Sequence, residues 1–195
     1  MLTKNHKLDP FWIDHIAEQV ATLAQKDIGV VLVVSGAVAG GMGHFKDATN
    51  ILSKQAAAGI GQAQLTAAFY ESFTRKHIPI AQVLLTNGRT KKKKHITELL
   101  KLYLDKGVVP ILNENDVVEL NSFGGNDYVA EFIAHLLNAH QVIMLSQKQK
   151  SVYGIGGGVA KQEVVTSLMG KSIKTYIVNG KSKNIIVRTL GELYE

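Results

Sequence analysis

The chain has 195 residues, of which 46% are hydrophobic and 19% charged, and it contains no cysteine. This composition excludes an intrinsically disordered chain, and the lack of cysteine excludes disulfides, zinc fingers and cysteine nucleophiles. No apolar run approaches the roughly 20 residues that cross a bilayer, and the first twelve residues contain no apolar segment of a secretory signal. We therefore expect a single cytoplasmic domain over residues 1–195 that does not act at a membrane.

The net charge of +6 favours an anionic partner, but much of the excess lies in one run, Lys91 to Lys94. A lysine run between an apolar segment and an amphipathic one is typical of a solvated face. No aromatic residues alternate with these lysines, as base stacking on a single strand would require. A nucleic-acid-binding module is therefore an alternative that rests on charge alone, and we do not expect nucleic acid as a partner.

Apolar runs and amphipathic segments alternate along the chain. Asp9 and Pro10 are typical of a helix start, because the first caps and the second suits the first turn. In chain order, the pattern predicts helix 9–25, strand 30–34, helix 53–76, strand 80–86, helix 95–106, strand 108–112, helix 129–137, strand 142–145, helix 161–169, strand 173–178 and strand 185–187. Strands separated by helices predict an α/β fold, a three-layer sandwich with a mostly parallel sheet between helices.

Small polar residues follow several of the predicted strands. Ser35-Gly36-Ala37 comes after the first strand, Asn113 to Asp116 after the strand at 108–112, and Ser146-Gln147 after the strand at 142–145. Asn126 and Asp127 open the next helix. Each stretch alone is typical of a turn. Because the carboxyl ends of parallel strands share one edge of a sheet, the stretches together predict a ligand pocket there.

A glycine-rich run from Gly154 to Lys161 precedes a predicted helix. Glycines allow backbone N–H groups to approach phosphate oxygens, and a lysine adds a full positive charge. The run matches neither the P-loop nor the dinucleotide fingerprint, so a flexible loop is an equal alternative. Combined with carboxylates and amides, it fits phosphoryl transfer. The seven histidines have no metal-ligand spacing, and we assign no metal-ligating residues.

The same segments resemble a known family. Residues 33–40 are similar to the glycine-rich substrate loop of glutamate 5-kinases, which belong to the amino acid kinase family. Residues 54–62 resemble the helix that follows that loop, and residues 82–86 and 109–116 resemble the next two strands. Gly125-Asn126-Asp127 and the run 154–161 complete the series in the same order, so the resemblance extends from about residue 8 to about residue 190.

The resemblance implies transfer of the γ-phosphate of ATP to the side-chain carboxylate of L-glutamate with Mg²⁺, the first step of proline biosynthesis. It also implies a homo-oligomer. Asp127 would organise active-site lysines and metal, and Lys161 would stabilise the transferring phosphoryl group. The residues that would bind glutamate are Ser35, Gly36, Ala37, Asp116 and Asn126. Those that would bind ATP are Ser146, Gln147, Ile155, Gly156, Gly157, Gly158, Val159, Ala160 and Lys161.

The sequence departs from the family pattern at several places. Met1-Leu2-Thr3 resembles the sequence just after the family's first strand, which carries a phosphate-contacting lysine. Ser146-Gln147 stands where the family usually has Thr-Asp, and the segment before Gly154 is much shorter. We expect no C-terminal PUA domain. Because these differences affect nucleotide binding more than glutamate binding, a non-catalytic member that binds glutamate or proline, or that regulates, is the alternative.

Overall fold

The computed structural model describes residues 3–4, 7–45, 50–87, 92–146 and 159–191. The chain divides into two compact units, residues 1–126 and residues 127–195. Each unit contains parallel strands flanked by helices, which confirms the predicted α/β class. The expectation of one domain stays a prediction.

The first unit contains a three-stranded parallel sheet and a short antiparallel pair. Its elements are β1 (Thr3–Lys4), β2 (Lys7–Leu8), α1 (Pro10–Ala24), β3 (Leu32–Val33), α2 (Ala37–Gly41), a single 3-10 turn (Met42–His44), α3 (Ile51–Thr74), β4 (Ile80–Leu85), α4 (Lys93–Asp105) and β5 (Val109–Glu114). The parallel strands lie in the order β3-β5-β4, and β1 pairs with β2. The strand predicted at 30–34 is shorter than expected, and β1 and β2 had no signal in the sequence.

Two polar side chains set where the long helices of this unit begin. The Asp9 carboxylate accepts the Phe11 N–H at 3.2 Å, and the Asn50 side chain accepts the Ser53 N–H at 2.8 Å. Each bond satisfies an N–H that a helix start leaves without a partner. The predicted cap at Asp9 is thereby confirmed, and α1 packs on α3 through a fully buried core that includes Ile13 and Phe69.

The central strand β5 is buried along its whole length. Pro110 lacks an N–H, and proline is unusual in central strands. Because β3 pairs only with Ile111 and Leu112, Pro110 lies where β5 pairs with β4 alone. The carboxyl end of β5 carries Asn113 and Glu114, which are both almost fully buried. Polar side chains in such a position need partners inside the protein, and those partners define the site described below.

The second unit pairs two parallel strands and packs helices on them. Its elements are α5 (Asn126–Leu137), which begins at the boundary residue, β6 (Gln141–Ser146), α6 (Val159–Met169), β7 (Lys174–Asn179) and α7 (Ile185–Gly191). β6 pairs with β7 over six residues. An apolar cluster that includes Met144, Leu168 and Ile177 forms the core. The helices and strands predicted for residues 129–178 are confirmed.

The prediction of a strand over residues 185–187 is wrong, because these residues form the first turn of α7. The Arg188 N–H donates to the Asn184 carbonyl oxygen at 2.9 Å, and the Thr189 hydroxyl donates to the Ile185 carbonyl oxygen at 2.6 Å. Both bonds span four residues, as in an α-helix. A run of three apolar residues is too short to distinguish the helical period from the strand period.

Among the helices that the structure describes, none has both the length and the hydropathy that a membrane span requires.

Candidate functional site

The loop after β3 turns at Gly36 into α2. Gly36 has a φ of 114°, a conformation that favours glycine. Its carbonyl oxygen accepts the Gly40 N–H at 2.8 Å, so the chain turns directly from the strand into α2. Ser35 is exposed, whereas Ala37 is buried at the start of α2. The turn therefore places Ser35, Gly36 and Ala37 at the carboxyl end of the sheet.

Glu114 is a buried carboxylate at the carboxyl end of the central strand, only 4% exposed. Its Oε1 accepts the Phe123 N–H at 2.7 Å, and the Gly125 N–H is a second donor to the same carboxylate. Burial raises the pKa of Glu114 from its usual 4.5, the nearby charge of Asp116 raises it further, and the two N–H groups oppose the shift. Sequence reasoning did not single out this residue.

A chain of side-chain hydrogen bonds crosses from β5 to α3. The Asn113 amide donates to Gln62 Oε1 at 2.8 Å, and the Gln62 amide donates to the Thr66 hydroxyl at 3.2 Å. Gln82 on β4 donates to the same hydroxyl at 2.6 Å. Because Asn113 and Gln62 are both buried, each satisfies the other where water does not reach. The network fixes the orientation of Gln62, which sequence reasoning also missed.

A small hollow lies at this edge of the first unit. The loop that follows β5 folds on itself, since Asp116 Oδ1 accepts the Asn121 N–H at 2.9 Å. The charged side chains that line the hollow, Glu114 and Asp116, are both acidic, which favours a ligand with a cationic group. The residues around it are Ala37, Ala58, Gln62, Leu84, Glu114, Asn115, Asp116 and Val117. Of the predicted glutamate-binding residues, Ala37 and Asp116 are thus brought together.

Two buried polar atoms near the end of this loop have no hydrogen-bond partner within the described part of the chain. They are the Ser122 hydroxyl oxygen and Asn126 Oδ1. Buried polar atoms are nearly always paired in folded proteins, so an unpaired one indicates a ligand or water. Asn126 was predicted to bind substrate, whereas Ser122 had no signal beyond its position ahead of the Gly-Gly-Asn-Asp stretch.

The second unit contains the two residues predicted to be catalytic. The Lys161 ammonium on α6 donates to Oδ1 of Asp127 on α5, and the two form an ion pair. Both side chains are partly exposed, at 23% for Lys161 and 31% for Asp127. The adjacent Tyr128 hydroxyl donates to Glu163 Oε2 at 2.5 Å, and that bond is the main reason why the pKa of Tyr128 is raised. Two polar contacts therefore join α5 to α6.

The remaining predicted nucleotide-binding residues fall into two sets. Ser146 ends β6, where its carbonyl oxygen accepts the Gly180 N–H at 2.9 Å. Val159 and Ala160 form the start of α6, directly before Lys161. Gln147, Ile155, Gly156, Gly157 and Gly158 lie outside the described residues. That the residues of the two units face one common pocket stays a prediction.

The donor groups of the second unit fit a nucleotide that carries its own Mg²⁺. Within the described ranges, no three histidine, aspartate or glutamate side chains converge on a cation site. Mg²⁺ in kinases is bound by one or two carboxylates together with substrate phosphates, so one free carboxylate oxygen suffices. Within the part of the chain that the structure describes, Asp127 has that oxygen, because its ion pair with Lys161 uses Oδ1.

Comparison with known proteins gives several glutamate 5-kinases among the sequence relatives. A glutamate 5-kinase of Bacteroides thetaiotaomicron is 28% identical over 222 residues and covers 94% of this chain. Glutamate 5-kinases of Syntrophus aciditrophicus and of an Azoarcus species are 36% and 39% identical, each over 75% of this chain. The chain spans 62%, 40% and 41% of the lengths of these three relatives, less than two thirds of each.

Solved structures of isopentenyl phosphate kinases share the fold. The product complex of the T. acidophilum enzyme superposes with a TM-score of 0.67 at 15% identity, over 97% of this chain and 88% of that one. Identity this low indicates the fold alone. Residues 1–155 match the model of the amino acid kinase family. Together with the parallel strands and the sequence relatives, this match establishes that the chain belongs to the amino acid kinase family.

Proposed function

We propose that the chain is a phosphotransferase that moves the γ-phosphoryl group of ATP to the side-chain carboxylate of L-glutamate. The product is L-glutamyl 5-phosphate, and the reaction is the first step of proline biosynthesis. The observation that carries the proposal is that two carboxylates, Glu114 and Asp116, lie together at the carboxyl end of β5. The names of the sequence relatives support the same substrate.

The polar groups at this edge of the first unit suit the ammonium group of glutamate. An ammonium group has three N–H donors and no acceptor, so it needs carboxylate or amide oxygens around it. Asp116 supplies a carboxylate whose Oδ2 is not used in holding the loop. Asn126 supplies Oδ1, a buried acceptor without a partner in the described residues. Ser35 and the turn at Gly36 add a hydroxyl and backbone groups at the same sheet edge.

The second unit suits the phosphate end of ATP. In the reaction, a glutamate carboxylate oxygen forms a bond to the γ-phosphorus while the bond to the β-phosphate oxygen breaks and ADP leaves. Negative charge accumulates on the transferring group, and a positioned cation stabilises it. We assign this role to Lys161, and Asp127 orients its ammonium group. Asp127 would also offer an oxygen to the Mg²⁺ that accompanies ATP, and Ser146, Gln147 and residues 155–161 would bind the nucleotide.

Glutamate-dependent ADP release tests the proposal. We expect the chain to release ADP from Mg-ATP in the presence of L-glutamate and to form an acyl phosphate that hydroxylamine traps. Lys161→Ala should abolish both signals, while Lys171→Ala, which changes an exposed lysine just after α6, should not. Asp116→Ala should weaken glutamate binding in calorimetry, and Asp105→Ala, which removes an exposed carboxylate, should leave it unchanged.

The outcomes separate the proposal from its alternatives. Glutamate binding without ADP release would identify the non-catalytic member of the family. ADP release that does not depend on glutamate would refute the assigned substrate. Binding to oligonucleotides that weakens steeply with salt would favour the nucleic-acid-binding module. We place the reaction in the cytoplasm, and the expected homo-oligomer stays a prediction that light scattering would check.

A further inference from the structure

The proposed function uses the buried carboxylate of Glu114 only as part of the lining of the hollow. It lies at the end of the central strand, and no lysine or arginine of the described residues pairs with it. A buried charge without a cation costs several kcal/mol unless hydrogen bonds replace the lost water. The bonds that replace it come from the backbone of one segment, Phe123 to Gly125. That segment directly precedes Asn126.

We propose that Glu114 is a positioning residue that ties the segment 123–125 to the end of β5 and thereby sets Asn126 for the incoming amino acid. This inference rests on the proposed function, because it assigns Asn126 to the glutamate site. Glu114 acts through the backbone of the loop and touches neither the transferred phosphoryl group nor the nucleotide.

The segment needs such a tie because its backbone forms no helix or strand. Gly124 and Gly125 have φ values of 88° and 123°, and Asn121 has a φ of 54°. These left-handed conformations interrupt regular backbone hydrogen bonding, so side chains must hold the segment. The Phe123 side chain is buried and the Asn87 amide donates to the Ser122 carbonyl oxygen at 2.5 Å. Of these contacts, those of Glu114 reach the backbone nearest to Asn126, at Phe123 and Gly125.

Two carboxylates hold different parts of the loop, with different consequences. The first part is closed by Asp116, which accepts the Asn121 N–H, and the last part is closed by Glu114. Both carboxylates also line the same hollow. Loss of the Glu114 tie would free the end of the loop that presents Asn126, while the Asp116 closure would remain. We therefore expect a selective effect on glutamate and little effect on ATP.

A carboxylate suits this role better than an amide. Two N–H donors face the Glu114 side chain, and a carboxylate accepts both. A glutamine has one neutral carbonyl oxygen in place of two charged oxygens, so it accepts these N–H groups more weakly. Glu114→Gln therefore weakens the tie without changing the size of the side chain. Glu114→Asp keeps the charge but shortens the side chain by one methylene group, so it weakens the reach to both donors.

The test combines amide hydrogen exchange with glutamate titration of Glu114→Gln. Glu119→Gln is the matched control, because it makes the same chemical change on an exposed side chain of the same loop. We expect the amide hydrogens of residues 121–126 to exchange about tenfold faster in Glu114→Gln. The KM and Kd for glutamate should also rise about tenfold. Both effects are of the size that loss of one hydrogen bond to a charged group predicts. The KM for ATP should not change, kcat should fall less than threefold, and the control should match the unmodified chain.

The results distinguish this inference from the proposed function. Glutamate binding by Glu114→Gln with unchanged affinity, or unchanged exchange of residues 121–126, would overturn the role of Glu114 and leave the proposed function standing. An unmodified chain that binds no glutamate would remove the proposed function and the role of Glu114 together. If Glu114→Gln does not fold, Glu114→Asp decides: a several-fold rise in the Kd for glutamate supports the role, and an unchanged Kd overturns it.

Discussion

A Cβ atom at Gly61 on α3 would lie 1.8 Å from the carbonyl oxygen of Ala37 on α2. The contact is reciprocal, since a Cβ at Gly41 on α2 would lie 1.9 Å from the carbonyl oxygen of Ala57 on α3. The two helices therefore meet backbone to backbone. This close approach brings Ala37 beside Gln62, so that both line the acidic hollow.

Gly61→Ala should destabilise the first unit by about 3 kcal/mol, because the clash is with backbone atoms that no side-chain rotation relieves. Gly59→Ala is the matched control on the same helix, where the added Cβ would meet only Val117 Cγ2 at an ordinary 3.5 Å. Alanine favours helix over glycine, so the control should gain about 0.5–1 kcal/mol. Urea unfolding of both variants checks the prediction, and equal effects at the two sites would contradict it.

The ion pair between Lys161 and Asp127 predicts a selective loss of turnover. Asp127→Asn removes the charge that holds the Lys161 ammonium, and we expect kcat for ADP release to fall about a hundredfold, in the range of lost electrostatic stabilisation at other active sites. Glu131→Gln is the control on the same helix, because Glu131 pairs with His135 instead. The glutamate KM should stay within about threefold in both variants. A variant Asp127→Asn with normal kcat would contradict the assigned role.

The sequence was sufficient where a pattern repeats over many residues. The helix over residues 10–24 has a capping residue and a long apolar periodicity, and the helix over residues 51–74 is a long run without proline that is rich in helix-forming residues. Both lie within two residues of their predicted limits. The run 185–187 has neither, so its β-branched composition indicated the wrong element. The two-residue strands β1 and β2 are formed by pairing with each other, which no local pattern reports.

The residues of the site also divide into those that the sequence indicated and those that it did not. Asp116, Asn126 and Lys161 stand next to glycines or strand ends, and the residue types alone marked them as candidates. Glu114 lies within the stretch from Asn113 to Asp116, but its role depends on a hydrogen bond to its carboxylate from the Phe123 N–H, nine residues away. Gln62 depends on a partner 51 residues away. Contacts of this kind arise from tertiary packing, so the spacing of residues along the sequence does not predict them.

The buried pair formed by Asn113 and Gln62 predicts a large effect on stability. Asn113→Ala leaves Gln62 Oε1 without its donor and opens a cavity in a side-chain site that is 1% exposed. We expect the free energy of unfolding to fall by about 2–3 kcal/mol. Gln82→Ala removes the exposed end of the same network and should cost no more than about 0.5 kcal/mol. Chemical denaturation measures both, and similar losses would show that burial does not determine the contribution of each bond.

The Asp14 carboxylate makes the stability of the first unit depend on pH in the acidic range. The Ser72 hydroxyl donates to it and is the largest cause of its lowered pKa, and the guanidinium of Arg75 at 2.6 Å and the ammonium of Lys76 add to the shift. A carboxyl with a lower pKa in the folded state stabilises the fold above its usual pKa of 3.8, and this stabilisation is lost as the pH falls through the folded value.

Asp14→Asn should therefore lower the free energy of unfolding at pH 7, and its difference from the unmodified chain should vanish as the pH falls below the folded pKa of Asp14. The loss at pH 7 should not exceed about 1 kcal/mol, because solvent screens a half-exposed pair. Asp105→Asn changes an exposed carboxylate on α4 and should leave the pH profile unaltered. Ser72→Ala should raise the pKa of Asp14 in an NMR titration, since it removes the principal hydrogen bond. A constant difference between Asp14→Asn and the unmodified chain from pH 7 down to pH 2 would show that the carboxylate contributes through packing and not through its charge.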